Sequence, residues 1–477
     1  MILKPSQQRN CMAARLLSIT TLAVACSVAS VCGQRANGQA ATHSKGGIAG
    51  AATPAATGPN HTVINPPQTV AIIGGKLLTI THGTIENGVV VLTDGKIVAV
   101  GPAGSTSVPK DAQVFDAKGM TVYPGLFDAE THLGLTEVES DQNSNDLAET
   151  SDEILPQMHV VDAFHAETVR IPIQRINGVT NAIVAPASED SIAGQDALIQ
   201  LYGKNRNAMI VGPDIALAMN FEGDVRRRGG TPGTTKFPAT RMGLASQLRQ
   251  TFLDTQHYVS ERAEAAKPEH KGPSVKRDLK YEALVPYLKG EKPVVLGAYE
   301  SYEVEVAMSI AKEFNLKVIL NHVTHAQDIL DTIASYKVPV IVGSIYDAPR
   351  ANERYDAVYS LPAELQKRGV KIALSSLSNG PVSDSRNLPY AAGYAVAYGL
   401  PYDEAMKAIT LNPAEMFGMG DRFGSLDVGK VANVVVANGD PLDVRTSVKQ
   451  VFIEGVAVPM TSRQTDLRDE YSPLSRR

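Results

Sequence analysis

Between Thr121 and Thr410 short apolar, β-branched runs alternate with longer amphipathic segments, and that alternation constrains the fold more than any other feature of the chain. The runs are TVYPGLFD, VTNAIVAP, ALIQLYG, MIVGPDIALAM, PVVLGAY, KVILNHV, PVIVGSI and KIALSSL. The segments MGLASQLRQTFLDTQHYVSERAEAA, YEVEVAMSIAKEF, AQDILDTIASY and YDEAMKAIT have helical spacing of their apolar residues. Buried strands alternating with helices predict an α/β fold, a parallel (β/α)8 TIM-type barrel. The segment from 190 to 240 leaves the strand count open. A doubly wound open sheet is the alternative, but it would normally carry a Gly-rich phosphate loop, and the chain has none.

The regions on either side of this alternation are of another kind. Residues 69 to 101 carry apolar runs broken at Gly83, Asn87-Gly88 and Asp94-Gly95, turn residues that supply positive φ and so predict short antiparallel strands. A similar pattern returns in GSLDVGKVANVVVANGDP and VKQVFIEGVAV. Neither end has enough strands to close a core, so the two ends are expected to form one small β-sandwich together. The resulting domain map has an N-terminal β-sandwich segment at 69–122, the barrel at 123–420, a C-terminal β-sandwich segment at 421–460 and a tail at 461–477.

Residues 1–40 read as an export signal, with Lys4, Arg9 and Arg15 ahead of the mostly apolar and small run LLSITTLAVACSVASV. Residues 41–68 belong to an Ala/Gly/Thr-rich stretch and read as a linker. All three cysteines, Cys11, Cys26 and Cys32, fall in the leader. The mature chain therefore has no thiol nucleophile and no thiolate metal ligand, which fits an oxidising compartment, periplasmic or extracellular. A membrane attachment would require lipidation at Cys26. With 43% hydrophobic and 20% charged residues the composition is globular, and a formal net charge of -5 gives no basic footprint for nucleic acid. The triplet Arg226-Arg227-Arg228 reads as a solvated loop.

One stretch concentrates chemistry. In GLFDAETHLGL, residues Asp128, Glu130 and His132 occupy every second position at the end of an apolar run, so on a strand they share a side, as ligands around a metal do. Strand ends of this kind carry the chemistry of α/β barrels.

The chain resembles the amidohydrolase superfamily, closest to its imidazolonepropionase-like branch of exported members. The resemblance is carried by GMTVYPGLFDAETHLGL, INGVTNAIVAPASEDSIAGQDALIQL, Pro293 to Ile345, SRNLPYAAGYAVAYGLPYDEAMKAITLNPAEMFG and DRFGSLDVGKVANVVVANGDPL. It implies a metal-dependent barrel hydrolase of non-peptide or dipeptide-like C–N bonds, with a sandwich built from both chain ends. It also implies a degraded ligand set. Glu130 and His132 stand where the family has His-x-His, no imidazole occurs at Gly297 or Tyr299, His322 is kept, and Leu377 aligns with the metal-binding Asp. Loss of the metal-bound water and of its general base would remove the nucleophile that such hydrolysis needs.

His132, His322 and Glu130 could still form a two-His, one-Glu site for one divalent metal, zinc first, with Glu130 as ligand or base. In the other reading no metal is bound. His325 falls at helical spacing from His322 and is expected exposed on a first helical turn. Glu300 and Asp384 are alternative bases, and Asp141 to Asp146 read as a polar surface loop rather than a calcium loop. Ile192-Ala193-Gly194-Gln195 resembles a loop near the substrate, so Gly194 and Gln195 are substrate-binding candidates or a tight connection. Arg386-Asn387-Leu388 is expected to cap and orient the next helix. Two functions follow: an exported C–N hydrolase, or a silent member that binds a small ligand or an active partner subunit. A homo-oligomer or a pairing with a related active subunit is expected, and nucleic acid is not.

Overall fold

The computed structural model describes residues 69–138, 140–149, 151–222, 237–343, 345–350, 353–377 and 384–472. The leader, Cys26, the linker up to residue 68, Arg226 to Arg228 and positions 473–477 lie outside the described residues. Everything described belongs to one compact unit, Pro54–Arg477. Among the described residues no helix is long and apolar enough to cross a membrane.

The chain opens with β1 (Val70–Leu78), β2 (Thr84–Thr93), β3 (Lys96–Pro102), β4 (Gln113–Asp116) and β5 (Thr121–Pro124). Asp94 and Gly95 take the positive φ that joins β2 to β3 in a two-residue turn. Asn87-Gly88, expected to turn the chain, instead lies inside β2, where Gly88 pairs with Gly75 beside a register shift. The run TVYPGLFD divides at Gly125 and serves two sheets, β5 in one and β6 in the other.

The second sheet contains β6 (Leu126–Thr131), β7 (Val179–Val184), β8 (Ile192–Gln200), β9 (Ile210–Asn220), β10 (Val294–Glu300), β11 (Val318–His325), β12 (Val340–Val342) and β13 (Ile372–Leu374). The eight apolar runs of the sequence correspond to these eight strands. Their order across the sheet is β13-β12-β11-β10-β9-β8-β7-β6. The two outermost strands approach each other through Ser375 Oγ, which donates to Glu130 O at 3.0 Å, and Ser376 N, which donates to Asp128 Oδ1 at 3.0 Å. Phe127, Ile183, Leu198, Ala216, Val295, Ile319, Ile341 and Ala373, one from each strand, pack in one cluster and fill the interior of this nearly closed sheet.

The expectation of an all-parallel barrel is corrected at β8, which runs antiparallel to both β7 and β9. Only positions 185–191 separate β7 from β8. A parallel crossover needs a dozen or more residues, so this connection can only reverse the chain.

The later strands are backed by helices. Helix Ser301–Glu313 begins with a capping box between Glu300 and Glu303 and buries Val304, Ala307, Met308, Ile310 and Ala311. That spacing presents one apolar face to the outside of the sheet.

The chain closes with β14 (Val434–Ala437), β15 (Val448–Ile453) and β16 (Val456–Ala457). They join the first sheet in the order β16-β15-β14-β5-β1-β2-β3, with β4 on β1. Strands from both chain ends therefore pair into one continuous eight-stranded sheet around Ile72, Leu77, Val90, Val122, Val434 and Phe452. The tail contains a helix, Arg463–Tyr471, with its own capping box.

Candidate active site

The end of β6 brings Asp128, Glu130 and His132 into the buried interior. Glu130 bridges two residues of β11. Its Oε1 accepts from Asn321 Nδ2 at 2.7 Å, and its Oε2 lies 3.2 Å from His322 Nε2. The other ring nitrogen of His322, Nδ1, lies 2.7 Å from Glu222 Oε1 just beyond β9. One histidine is thus held between two carboxylates, and Tyr299 stacks on its ring at 4.6 Å.

Burial alone would lower the basicity of His322, but Glu130 and Glu222 outweigh it and push its pKa up to about 10. The two carboxylates thus favour the protonated ring of His322. Burial would raise the Glu130 carboxyl, yet the charge and hydrogen bond of His322 hold it below the usual range. At Glu222 burial wins over the same attraction and its carboxyl is raised. His322 and Val323 both have positive φ, a backbone irregularity at the end of β11.

His132 stands apart from this triad in its bonding. Its Nδ1 donates to Ala185 O at 2.8 Å, and burial holds its pKa below the ordinary value. It is a neutral imidazole with its acceptor lone pair on Nε2. Asp128 accepts from the Ser376 backbone at 3.0 Å and from the Ser376 hydroxyl, while burial raises its carboxyl to about 6.

Gly297 explains the space that Glu222 occupies. A Cβ at that position would fall 2.5 Å from Glu222 Oε1 and 2.7 Å from Asn220 Oδ1. The place where the sequence resemblance calls for an imidazole is filled by the side chains of Asn220, which ends β9, and Glu222, just after it. Leu377 follows Ser375 and Ser376 in the segment after β13 and bonds only by its backbone, to Ser375 Oγ at 3.0 Å.

These donors do not fit a three-ligand metal centre. Among the described residues no three His, Cys, Asp or Glu side chains form a group that could hold a metal ion. Both nitrogens of His322 are on carboxylates, and a ring protonated at both has no lone pair to give.

The remaining sequence candidates are dispersed. His325 is not exposed on a helical turn: it ends β11, is largely buried, and its Nδ1 lies 3.0 Å from Glu353 Oε1. Glu300 caps helix Ser301–Glu313 and pairs with Arg350. Asp384 precedes a short 3-10 turn and lies 3.5 Å from Arg386. Asp141 accepts from Asn143 N at 3.1 Å in an exposed loop. Arg386 donates its backbone N–H to Gln174 Oε1 at 2.6 Å just before helix Leu388–Ala397.

Gly194 and Gln195 lie within β8, beside the segment that precedes β7. Gly194 has φ +145°, and a Cβ there would sit 3.0 Å from Met158 O. Gln195 donates to Pro156 O at 3.0 Å and accepts from Tyr287 OH at 2.9 Å. Both hold the segment before β7 against the sheet.

Sequence reasoning left out Glu222, Asn321, Ser376 and Asp196 as site residues. Glu222 carried a signal, an acid directly after the run MIVGPDIALAMNF, at the end of a strand where barrel chemistry gathers. Asp196 had none, because its surroundings depend on the unforeseen direction of β8.

The comparisons agree with this architecture. The model of the amidohydrolase family matches residues 288–458. An amidohydrolase, tasK, of Hapsidospora irregularis is 26% identical over 394 residues, 78% of this chain and 39% of that protein. The chain thus spans well under half the length of that relative. The imidazolonepropionase of Sphingopyxis alaskensis is 23% identical over 397 residues, 76% of this chain and 89% of that protein. The crystal structure of an amidohydrolase from Thermotoga maritima superposes with a TM-score of 0.75 at 29% identity, covering 83% of this chain and 100% of that one.

Proposed function

On the premise that the chain belongs to the amidohydrolase superfamily, in its imidazolonepropionase-like branch, we propose that it binds a small ligand at the barrel mouth without metal-assisted hydrolysis. The family is one of hydrolases. What this member retains is their scaffold, and what it has exchanged is the means of making a nucleophile. The ligand is a compound of the class such barrels hydrolyse, a non-peptide or dipeptide-like C–N compound.

The observation that carries this reading is the clasp on His322, with Nδ1 at 2.7 Å from Glu222 and Nε2 at 3.2 Å from Glu130. A metal lowers the pKa of its bound water from 15.7 to about 7, which gives hydrolytic enzymes a hydroxide at neutral pH. A proton favoured on His322 by these two carboxylates would occupy the lone pair that coordination would use. Leu377 and Gly297 offer no donor side chain at the positions where the resemblance asks for one. A related active subunit is the partner that such a binding member would serve, and the leader-like residues 1–40 support export of this chain.

One observation favours a second reading, a hydrolase with one zinc held by His132, His322 and Glu130. Each histidine has its Nδ1 on an oxygen acceptor, Ala185 O or Glu222, as metal-bound histidines do.

Metal analysis and turnover decide between them. After metal-replete purification the chain is expected to hold well below one zinc per chain and to leave amides and cyclic imides intact. Stoichiometric zinc that disappears in the double variant His132→Ala, His322→Ala, with chelator-sensitive turnover in the wild type, would establish the second reading.

A further inference from the structure

The interior of the site carries four carboxyl groups, on Asp128, Glu130, Asp196 and Glu222. Three are engaged: Asp128 by Ser376, Glu130 by Asn321 and His322, and Glu222 by His322. Asp196 is different. Both of its carboxyl oxygens are buried and accept no hydrogen bond.

Its direction follows from β8. Leu198, two residues on, packs in the cluster to which all eight strands contribute, whereas Gln195 bonds on the opposite side to Tyr287 and Pro156. Gln195 and Asp196 pair in regular register with Leu217 and Ala216, so their side chains point to opposite sides and Asp196 faces inward. There it is within electrostatic reach of Glu130, a group of the same sign, and together with burial this holds its carboxyl well above the usual range. Among the described residues the buried Lys and Arg side chains are Arg175 and Lys430, and these bond to Leu201 O and Phe423 O elsewhere.

We infer that Asp196 is the recognition point for a planar organic cation, an amidinium or guanidinium group, entering the barrel mouth. Such a group supplies what the site lacks. Its charge would let Asp196 ionise beside Glu130, and its two parallel N–H donors match the two oxygens of the carboxylate so formed. A neutral amide would bring donors without charge, and a quaternary ammonium would bring charge without donors. This inference rests on the metal-free reading above and gives that reading a ligand class.

Isothermal titration of the full chain with methylguanidinium chloride tests it. Wild type is expected to bind one equivalent, and Asp196→Asn to bind at least roughly tenfold more weakly, the loss that a charged hydrogen bond carries. N-methylurea and tetramethylammonium are expected to bind wild type more weakly by a similar factor. Absence of methylguanidinium binding, or equal binding by wild type and Asp196→Asn, would overturn the inference. Should that variant not fold, infrared spectra of wild type labelled with 13C-carboxyl aspartate replace it. One carboxyl band is expected to shift on saturation with methylguanidinium, and unchanged bands overturn the inference. Zinc-dependent ammonia release from amides would defeat the metal-free reading while these titrations still reported on Asp196, so the two failures are distinct.

Discussion

At the scale of single residues, the pair of carboxylates around His322 is an exchange of solvent for protein partners, and its worth depends on both remaining in place. Glu222→Ala leaves the buried imidazolium with Glu130 alone. The expected loss is about 3–5 kcal/mol, the cost of breaking a buried pair, and urea unfolding measures it. The pH dependence has a definite sign. The pKa of His322 moves from its ordinary value of 6.5 to about 10 on folding. The folded state therefore holds more protons in that interval, and the pair contributes fully below pH 6.5. Stability is expected to decline as pH rises from 6.5 toward 10, by at most about 1.4 kcal/mol per pH unit from this group. Urea midpoints at pH 6.5, 8 and 9.5 check the prediction. Midpoints that are flat or rising would mean that His322 is neutral. Glu130, His132 and His322 were all legible in the sequence as chemistry-bearing residues. The clasp on His322 was not, because half of it is Glu222, which lies 100 residues from His322.

Strand ends decide what each element contributes. At the end of β10, Gly297 leaves the space into which Glu222 and Asn220 reach. Gly297→Ala is expected to destabilise the protein by about 1–3 kcal/mol through overpacking. Part of that cost should vanish when Glu222 is also Ala, since Glu222 Oε1 is the nearest atom to the added Cβ. A double-mutant cycle in urea reads the coupling, and strict additivity of the two losses would show that they do not share this contact. The strands themselves were legible because each is an apolar, β-branched run bounded by polar or turn residues. The direction of β8 was missed although the seven positions 185–191 already forbade a parallel crossover. Asn87-Gly88 misled in the opposite sense, since a turn-forming pair was absorbed by an irregularity within β2.

For the whole molecule, the two chain ends depend on one another. Val434, Val435, Val436 and Ala437 of β14 are fully buried and pair with Thr121 to Pro124 of β5, directly before the site strand β6. Burying a valine contributes about 1.5–3 kcal/mol, so three of them rival the roughly 5–15 kcal/mol net stability of an ordinary domain. A chain ending after Phe423 is accordingly expected to lose cooperative unfolding and its near-ultraviolet circular dichroism, and retention of both would show that β6–β13 fold without their neighbour. The sequence by itself determined the alternation of strands and helices and the pairing of the two ends, because periodicity and residue chemistry are local properties. Only the tertiary structure decided that His322 sits between two carboxyl groups and that Asp196 faces the interior with neither oxygen hydrogen-bonded. Both arise from side chains brought together across strands far apart in the chain, where burial and neighbouring charge, rather than residue type, set which form is stable.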